Sequence, residues 1–214
     1  MATSQTATHE RWMRHALRLA RRGEGRTHPN PPVGAVVVKR GRVIGEGFHH
    51  RAGLPHAEVE ALASLGARAS GSTVYVTLEP CSTQGQTPPC TELIKTCGVA
   101  EVVVSVQDPN PEHCGRGLRQ LRAAGIKVVS GICRDEGAQL LAPFAKWITT
   151  GLPYVTLKMG MTLDGRIADR RGTSRWITGP DARREVQRLR KRVDAIMVGS
   201  GTAVADDPSL RWSK

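Results

Sequence analysis

Three residues with metal-binding side chains and one acidic residue stand out in the first half of the chain. Glu58 follows His56 by two residues, and Cys81 and Cys90 come further along. One neutral imidazole and two thiolates can hold Zn²⁺ and leave its fourth position for water. Glu58 is close enough to carry protons yet separate from the ligand set. This combination predicts a hydrolytic zinc site with His56, Cys81 and Cys90 as ligands and Glu58 as the catalytic residue.

A structural zinc site is the alternative interpretation of the same residues. Such a site normally needs a fourth protein ligand, and the remaining cysteines, Cys97, Cys114 and Cys133, show no paired spacing. The catalytic interpretation is favoured because the ligand types and the general base occur together.

The order of these motifs resembles the zinc deaminases of nucleobases and nucleosides. Eight residues separate the two cysteines here, where nucleoside and transfer-RNA deaminases usually have two, and the insert ends in Thr-Pro-Pro-Cys. This long insert is similar to that of the bifunctional riboflavin-biosynthesis deaminase/reductase family. Further matches to that family cover nearly all of the chain and include Pro29-Asn30-Pro31, Gly47-Phe48-His49, Glu79-Pro80-Cys81, Asp108-Pro109-Asn110-Pro111, Leu163-Asp164-Gly165 and Ala205-Asp206-Asp207-Pro208.

The resemblance implies a fold, an activity and two cofactors. The fold would be a cytidine-deaminase-like three-layer α/β/α sandwich with a mixed sheet, followed by an incomplete α/β reductase domain. The activity would be zinc-dependent deamination of 2,5-diamino-6-(5-phosphoribosylamino)pyrimidin-4-one to 5-amino-6-(5-phosphoribosylamino)uracil. NADPH would serve the following ribosyl reduction only if the reductase domain is completed.

Substrate-binding positions are also carried over from the resembled family. In the deaminase domain they are Asn30, His49, Thr83, Gln86, Asp108 and Asn110. Asn30 and Asn110 each lie between prolines, so turn formation is an equal alternative for them. Thr83 stands where the family usually has a histidine or a similar polar residue, and Gln86 stands where it usually has a lysine or arginine. The missing cation at position 86 should weaken contact with a phosphate or polar edge of the substrate by about 1–3 kcal/mol.

For the reductase segment the resemblance implies two further groups of residues. Those facing NADPH are Gly160, Trp176, Thr202 and Asp206, and those facing substrate are Ser174, Arg190 and Leu210. Each has a structural alternative: a strand-end kink, a core side chain or a solvated charge. No glycine-rich phosphate-binding turn appears before Lys214, and we expect no reduction by this chain alone.

Strand patterns alternate with helix patterns, which indicates a layered α/β sheet. Strands are predicted at 33–39, 43–48, 73–78, 101–106, 126–129, 154–159 and 194–199, and helices at 10–22, 56–64, 89–97, 118–124, 135–150 and about 183–192. The predicted domains are a disordered N-terminus at 1–8, a deaminase domain at 9–150 and a reductase fragment at 151–214.

The formal net charge of +12 raises a second hypothesis, deamination of a base in RNA. Much of the excess lies on two amphipathic helices, and only 4% of the residues are aromatic, so the pattern favours solvated helix faces and a phosphorylated small-molecule substrate over nucleic acid. A zinc-binding protein with impaired catalysis is a third hypothesis. The unpaired cysteines and the absence of an apolar span predict a cytoplasmic protein without membrane contact, and a homo-oligomer is possible.

Overall fold

The computed structural model describes residues 2–85 and 88–212. The chain divides into two compact units, Met1–Tyr154 and Val155–Lys214. No helix within the described residues is long and apolar enough to cross a membrane.

The first unit is built on a mixed five-stranded sheet. Its strands are β1 (Gly34–Lys39), β2 (Arg42–Phe48), β3 (Thr73–Leu78), β4 (Glu101–Val106) and β5 (Lys127–Ser130). Their order across the sheet is β2-β1-β3-β4-β5. β1 runs antiparallel to both β2 and β3, whereas β3, β4 and β5 are parallel.

Helices cover both faces of this sheet. The helices are α1 (Ala2–Ala20), α2 (Ala57–Ala63), α3 (Cys90–Thr96), α4 (Arg116–Ala123) and α5 (Arg134–Thr150). One core cluster joins α2, α3 and α4 to one face of the sheet, and a second joins α1 and α5 to the other. Residues alternate between the faces along each strand, as β geometry requires. This is the three-layer sandwich expected from the sequence.

Two glycines bring α2 unusually close to β2. A Cβ on Gly45 would lie 2.1 Å from the carbonyl oxygen of Ala61, and one on Gly47 would lie 2.5 Å from that of Ala57. Both distances are far below ordinary contact. The absent side chains therefore let the backbone of α2 rest directly on the strand, and this contact sets the position of the helix that begins after His56.

The topology brings the predicted site residues to one edge of the sheet. β2, β3 and β4 all point the same way, and Gly34 at the start of β1 pairs with Phe48 at the end of β2. The chain segments that follow Phe48, Leu78 and Val106, together with the segment that precedes Gly34, therefore meet at that edge. Ligand sites in α/β sheets form at such carboxyl ends of strands.

The N-terminal segment corrects one sequence expectation. Residues 1–8 were predicted to be disordered and the first helix to start near Glu10, but α1 begins at Ala2. From His9 onward one face of the helix packs on the sheet, and the His9 imidazole Nδ1 lies 3.0 Å from the Tyr75 hydroxyl. Once the first turn of a helix has formed, each further residue that joins the helix gains one backbone hydrogen bond. Extending α1 toward the N-terminus therefore costs much less free energy than starting a helix.

The second unit contains two helices, α6 (Pro180–Arg192) and α7 (Ser200–Asp206). The strands predicted at 154–159 and 194–199 are not present: these residues have no regular secondary structure. A strand is stable only when a neighbour satisfies its backbone groups, and neither segment is paired within the described residues. None of the residues 155–212 is buried, and Val155, Leu157 and Leu163 expose their apolar side chains.

Candidate active site

The structure brings the three predicted metal ligands together. His56 is the N-cap of α2, Cys81 follows β3, and Cys90 is the first residue of α3. The His56 Nδ1 lies 3.5 Å from the Cys81 Sγ and 3.4 Å from the Cys90 Sγ. All three ligand atoms lie within 4.8 Å of one another.

The start of α3 holds the two cysteines in register. The backbone N–H of Cys90 donates to the Cys81 Sγ at 3.3 Å, and that of Thr91 donates to the Cys81 carbonyl at 3.1 Å. The first orphan N–H groups of the helix are thereby used to orient one ligand. These two hydrogen bonds hold the two ends of the insert together.

Hydrogen bonding prepares one thiol to ionise. The hydrogen bond from Cys90, supported by those from His56 and the Cys90 N–H, lowers the pKa of Cys81 to about 4 against the effect of burial. The pKa of Cys90 is raised because its thiol proton is hydrogen-bonded to Cys81 and because the side chain is buried. The hydrogen bond with Cys81 raises the pKa of His56, opposed by burial.

The donor set fits a tetrahedral zinc ion. Bonds of about 2.0 Å to nitrogen and about 2.3 Å to sulphur place such donor atoms about 3.5 Å apart. The observed N···S distances of 3.4 and 3.5 Å agree with this value. Two sulphurs and one imidazole are the ligand types that zinc prefers, and three protein ligands leave a position for water.

Glu58 stands directly beside this cluster. Its side chain is only 3% exposed, in the first turn of α2. Burial, followed by the nearby charge of Cys81, raises the pKa of Glu58 to about 7. A carboxyl group in this environment is suited to both accepting and releasing a proton near neutrality.

His49 and Asn30 form a polar pair next to the metal ligands. The His49 Nδ1 lies 3.0 Å from the Pro55 carbonyl, so Nδ1 carries the proton and Nε2 accepts from the Asn30 Nδ2 at 3.0 Å. Burial lowers the pKa of His49, which favours this neutral form. Its ring meets that of His56 edge to face, with 5.4 Å between the centroids.

Asp108 and Asn110 lie in the loop between β4 and α4. The Asn110 N–H donates to the Asp108 Oδ1 at 2.9 Å, and the Asn110 Oδ1 accepts from the Glu112 N–H at 3.1 Å. Burial raises the pKa of Asp108. These hydrogen bonds show that Asn110 does shape a turn, and its role toward substrate stays a prediction.

The insert contributes Thr83, whose side chain is half-buried. Gln86 lies outside the described residues, so its predicted contact with substrate stays a prediction. Ser82, between Cys81 and Thr83, has a buried hydroxyl oxygen without a hydrogen-bond partner in the described part of the chain.

Glu79 is a site residue that the sequence analysis missed. This carboxylate is 5% exposed and accepts four hydrogen bonds from backbone N–H groups of the β4–α4 loop and α4. In the sequence it forms part of the Glu79-Pro80-Cys81 motif. An acidic residue between the end of an apolar strand and a proline is the signal that the sequence offers.

The seven residues predicted for the reductase segment are placed as follows. The Trp176 indole is 71% exposed and lies under the Arg183 guanidinium at 4.2 Å. Arg190 donates to the carbonyls of Ser209 and Arg211, on either side of Leu210. Ser174, Thr202 and Asp206 are exposed, and Gly160 is half-buried. Trp176 is therefore not the core residue that its structural alternative supposed, and the NADPH roles stay predictions.

Comparison with protein families identifies the class to which this fold and site belong. Residues 6–106 match the cytidine and deoxycytidylate deaminase zinc-binding region, which contains all three proposed ligands. Residues 153–214 match the RibD C-terminal domain. The first unit therefore matches the zinc-binding region of this class of deaminases.

Individual relatives narrow the class. The riboflavin biosynthesis protein RibD of Escherichia coli is 55% identical over 207 residues, which are 96% of this chain and 56% of the relative. RibD of Aquifex aeolicus is 49% identical over 199 residues, 93% of this chain and 56% of the relative. The chain belongs to the RibD family, and it spans a little over half the length of these relatives.

Solved structures agree with this assignment. RibD of Acinetobacter baumannii matches with a TM-score of 0.89 and 49% identity, over 97% of this chain and 58% of that one. A diaminohydroxyphosphoribosylaminopyrimidine deaminase/5-amino-6-(5-phosphoribosylamino)uracil reductase from Thermotoga maritima matches with a TM-score of 0.89 and 46% identity, over 95% and 59%.

Proposed function

We propose that this chain catalyses the hydrolytic deamination of 2,5-diamino-6-(5-phosphoribosylamino)pyrimidin-4-one in riboflavin biosynthesis. The observation that carries the proposal is the cluster of His56, Cys81 and Cys90, with donor atoms within 4.8 Å, beside the buried carboxylate of Glu58. The Thermotoga maritima relative named for this deaminase supports the choice of substrate.

His56, Cys81 and Cys90 would hold the metal. When bound, Zn²⁺ supplies the Lewis acidity that makes water a nucleophile at neutral pH. Glu58 takes one proton from the attacking water and delivers it to the ring nitrogen. It then takes the proton of the hydroxyl group that has been added to the ring carbon and delivers it to the amine, so that the C–N bond breaks, the carbonyl forms and ammonia departs. General acid–base catalysis of this kind contributes about 10²–10⁴ in rate.

Neighbouring residues would bind and orient the substrate. Asn30 and His49 present a fixed pattern of donors and acceptors, because the His49 tautomer is set by the Pro55 carbonyl. Asp108 and Asn110 approach from the β4–α4 loop, and Thr83 and Gln86 belong to the insert. We infer that the partner of this chain is a small phosphorylated pyrimidine.

We also infer a cytoplasmic location. All five cysteines are free, and free thiols persist in the reducing cytoplasm.

For the second unit we propose a role that depends on further structure. Gly160, Trp176, Thr202 and Asp206 would contribute to an NADPH site, and Ser174, Arg190 and Leu210 to the reductase substrate site. Such a site has to enclose its cofactor, whereas residues 155–212 are all at least partly exposed. We therefore expect no substrate-dependent oxidation of NADPH by this chain; steady oxidation that vanishes in Asp206→Ala would contradict this.

Ammonia release from the deaminase substrate tests the main proposal. The purified chain loaded with one zinc per molecule should release ammonia, and Glu58→Gln should keep the metal while its turnover falls by about 10²–10⁴. A variant that keeps most of its turnover with zinc verified would show that another residue transfers the proton.

Salt-sensitive binding of RNA, with no release of ammonia from the pyrimidine, would favour the RNA hypothesis. Light scattering would test the predicted homo-oligomer.

A further inference from the structure

The carboxylate of Glu79 closes the loop that leads from β4 to α4. Its Oε2 accepts from the Asp108 N–H at 3.2 Å and from the Gly115 N–H at 2.9 Å. Both ends of the segment 108–115 are therefore fastened to a single oxygen atom. The loop between them carries Asn110 and contains the internal turn bonds already described.

The second oxygen of Glu79 caps α4. Oε1 accepts from the Gly117 N–H at 2.8 Å and from the Leu118 N–H at 3.3 Å. The N-cap of α4 is Gly115, which has no side chain to cap the helix, and the first turn holds no acidic residue. Glu79, which belongs to another part of the chain, supplies the missing anion. Its negative charge also complements the helix dipole at the N-terminus of α4.

The loop residues are shaped to receive this carboxylate. Gly115 adopts the left-handed conformation with φ +73°, which few other residues tolerate. A Cβ on Gly117 would lie 2.2 Å from the Pro80 carbonyl oxygen, so only glycine lets α4 approach the segment that carries Glu79. Four N–H donors meet a carboxylate that is almost completely buried, and such charge-assisted bonds are roughly twice as strong as neutral ones.

Glu79 also has a fixed relation to the metal cluster. Its own N–H donates to the Val106 carbonyl at 2.9 Å, which extends the β3–β4 pairing by one step, and Cys81 follows after Pro80. The proposed substrate loop and one proposed metal ligand are thus tied to the same short segment. Displacing the Glu79 carboxylate would change the distance between them.

We propose that Glu79 is a positioning residue for deamination: it holds Asp108 and Asn110 at the correct distance from the metal ligands. This inference rests on the proposed function and assigns Glu79 no contact with the substrate or the metal. Because the loop would hold parts of the substrate that do not react, loss of its order weakens binding of the ground state and the transition state alike. Such a loss appears in KM more than in kcat.

The test compares Glu79→Gln with Thr77→Val. The glutamine keeps the length of the side chain but replaces one acceptor oxygen by a donor. Thr77 lies on the same strand, is fully buried, and accepts from the Gly34 N–H at 3.1 Å, so its variant also removes a buried hydrogen bond from side chain to backbone. It has no bond to the loop among those described for residues 108–118.

We expect Glu79→Gln to retain one zinc per chain and to raise KM about tenfold, with a smaller change in kcat. Amide hydrogen exchange of a peptide covering residues 108–118 should become about tenfold faster. Thr77→Val should lower the thermal midpoint without either effect. In an Asn110→Ala background, Glu79→Gln should add less than about twofold to KM, because the two act through one loop.

Unchanged KM and unchanged exchange in Glu79→Gln would overturn the proposal, and so would a raised KM with faster exchange of residues 108–118 in Thr77→Val. If Glu79→Gln does not fold, Glu79→Asp keeps the charge with a shorter reach and should show the same changes at smaller size. If the wild-type chain releases no ammonia, the proposed function fails, and the exchange measurement still decides whether Glu79 orders the loop.

Discussion

Substituting alanine for Gly47 should displace the helix that carries the proposed catalytic residue. The new Cβ would lie 2.5 Å from the Ala57 carbonyl oxygen, 2.6 Å from the Glu60 Cβ and 2.7 Å from the Ala61 nitrogen, whereas ordinary contact begins at 3.4 Å. Two of these three atoms belong to the α2 backbone, so a side-chain rotation cannot relieve the clash.

The required movement sets the size of the effect. The backbone at Ala57 would have to retreat by about 1 Å, and a misplacement of that size can lower catalysis about 10²-fold. Ala57 lies between His56 and Glu58, so both would move with it. Overpacking should also lower the free energy of unfolding by about 1–3 kcal/mol. The assay is kcat/KM for ammonia release, with zinc content and urea unfolding measured on the same preparation.

A matched control separates this effect from a general effect of alanine. Gly179 precedes α6 with φ −69° and ψ 174°, and a Cβ there meets nothing within 4 Å. Gly179→Ala should therefore keep both activity and stability. If Gly47→Ala stayed within about twofold of wild type in kcat/KM, the reasoning that β2 positions α2 through this close approach would be refuted.

Three further predictions concern single side chains. Cys90→Ala should bind zinc well below one ion per chain by elemental analysis, and undiminished zinc would remove Cys90 from the ligand set. Gln86→Lys should lower KM more than it changes kcat, because a cation there would hold a non-reacting part of the substrate; an unchanged or higher KM would count against a substrate-facing Gln86. Burial raises the pKa of Tyr75 to about 12 from the ordinary value of 10.0, so the folded chain keeps a proton that the unfolded chain loses, and stability should fall as the pH rises from 10 to 12. Tyr75→Phe should remove this decline in urea unfolding, at a cost of about 1–3 kcal/mol for the unpartnered imidazole of His9; an equal decline in both proteins would refute the assignment.

Much of the first unit could be predicted because its signals are local. β3 and β4 have the predicted bounds, 73–78 and 101–106, since runs of β-branched and apolar residues mark buried strands directly. The start of α4 was placed two residues late, at Leu118 instead of Arg116. Its cap comes from Glu79, which lies 38 and 39 residues before the two N–H groups that it accepts from, and no pattern within the helix itself indicates so distant a capping group.

The same distinction applies to the site. His56, Cys81 and Cys90 could be predicted because each side chain carries its own chemistry and their order matches a known motif. The four bonds of Glu79 go to backbone N–H groups, which every residue except proline possesses. Their arrangement depends on the conformation of Gly115 and the close approach at Gly117, and neither is visible before the loop is folded.

The positions of the arginines on α1 bear on the choice between a small substrate and RNA. Arg14 pairs with Glu10 at 3.3 Å and with Glu136 at 3.1 Å, and Arg11 lies over the Trp12 ring at 4.5 Å. These contacts satisfy part of the positive charge within the protein, and α1 packs on the face of the sheet opposite to α2, which carries Glu58. Arg11 and Arg14 are therefore already engaged within the first unit, and we expect them to add little to RNA binding.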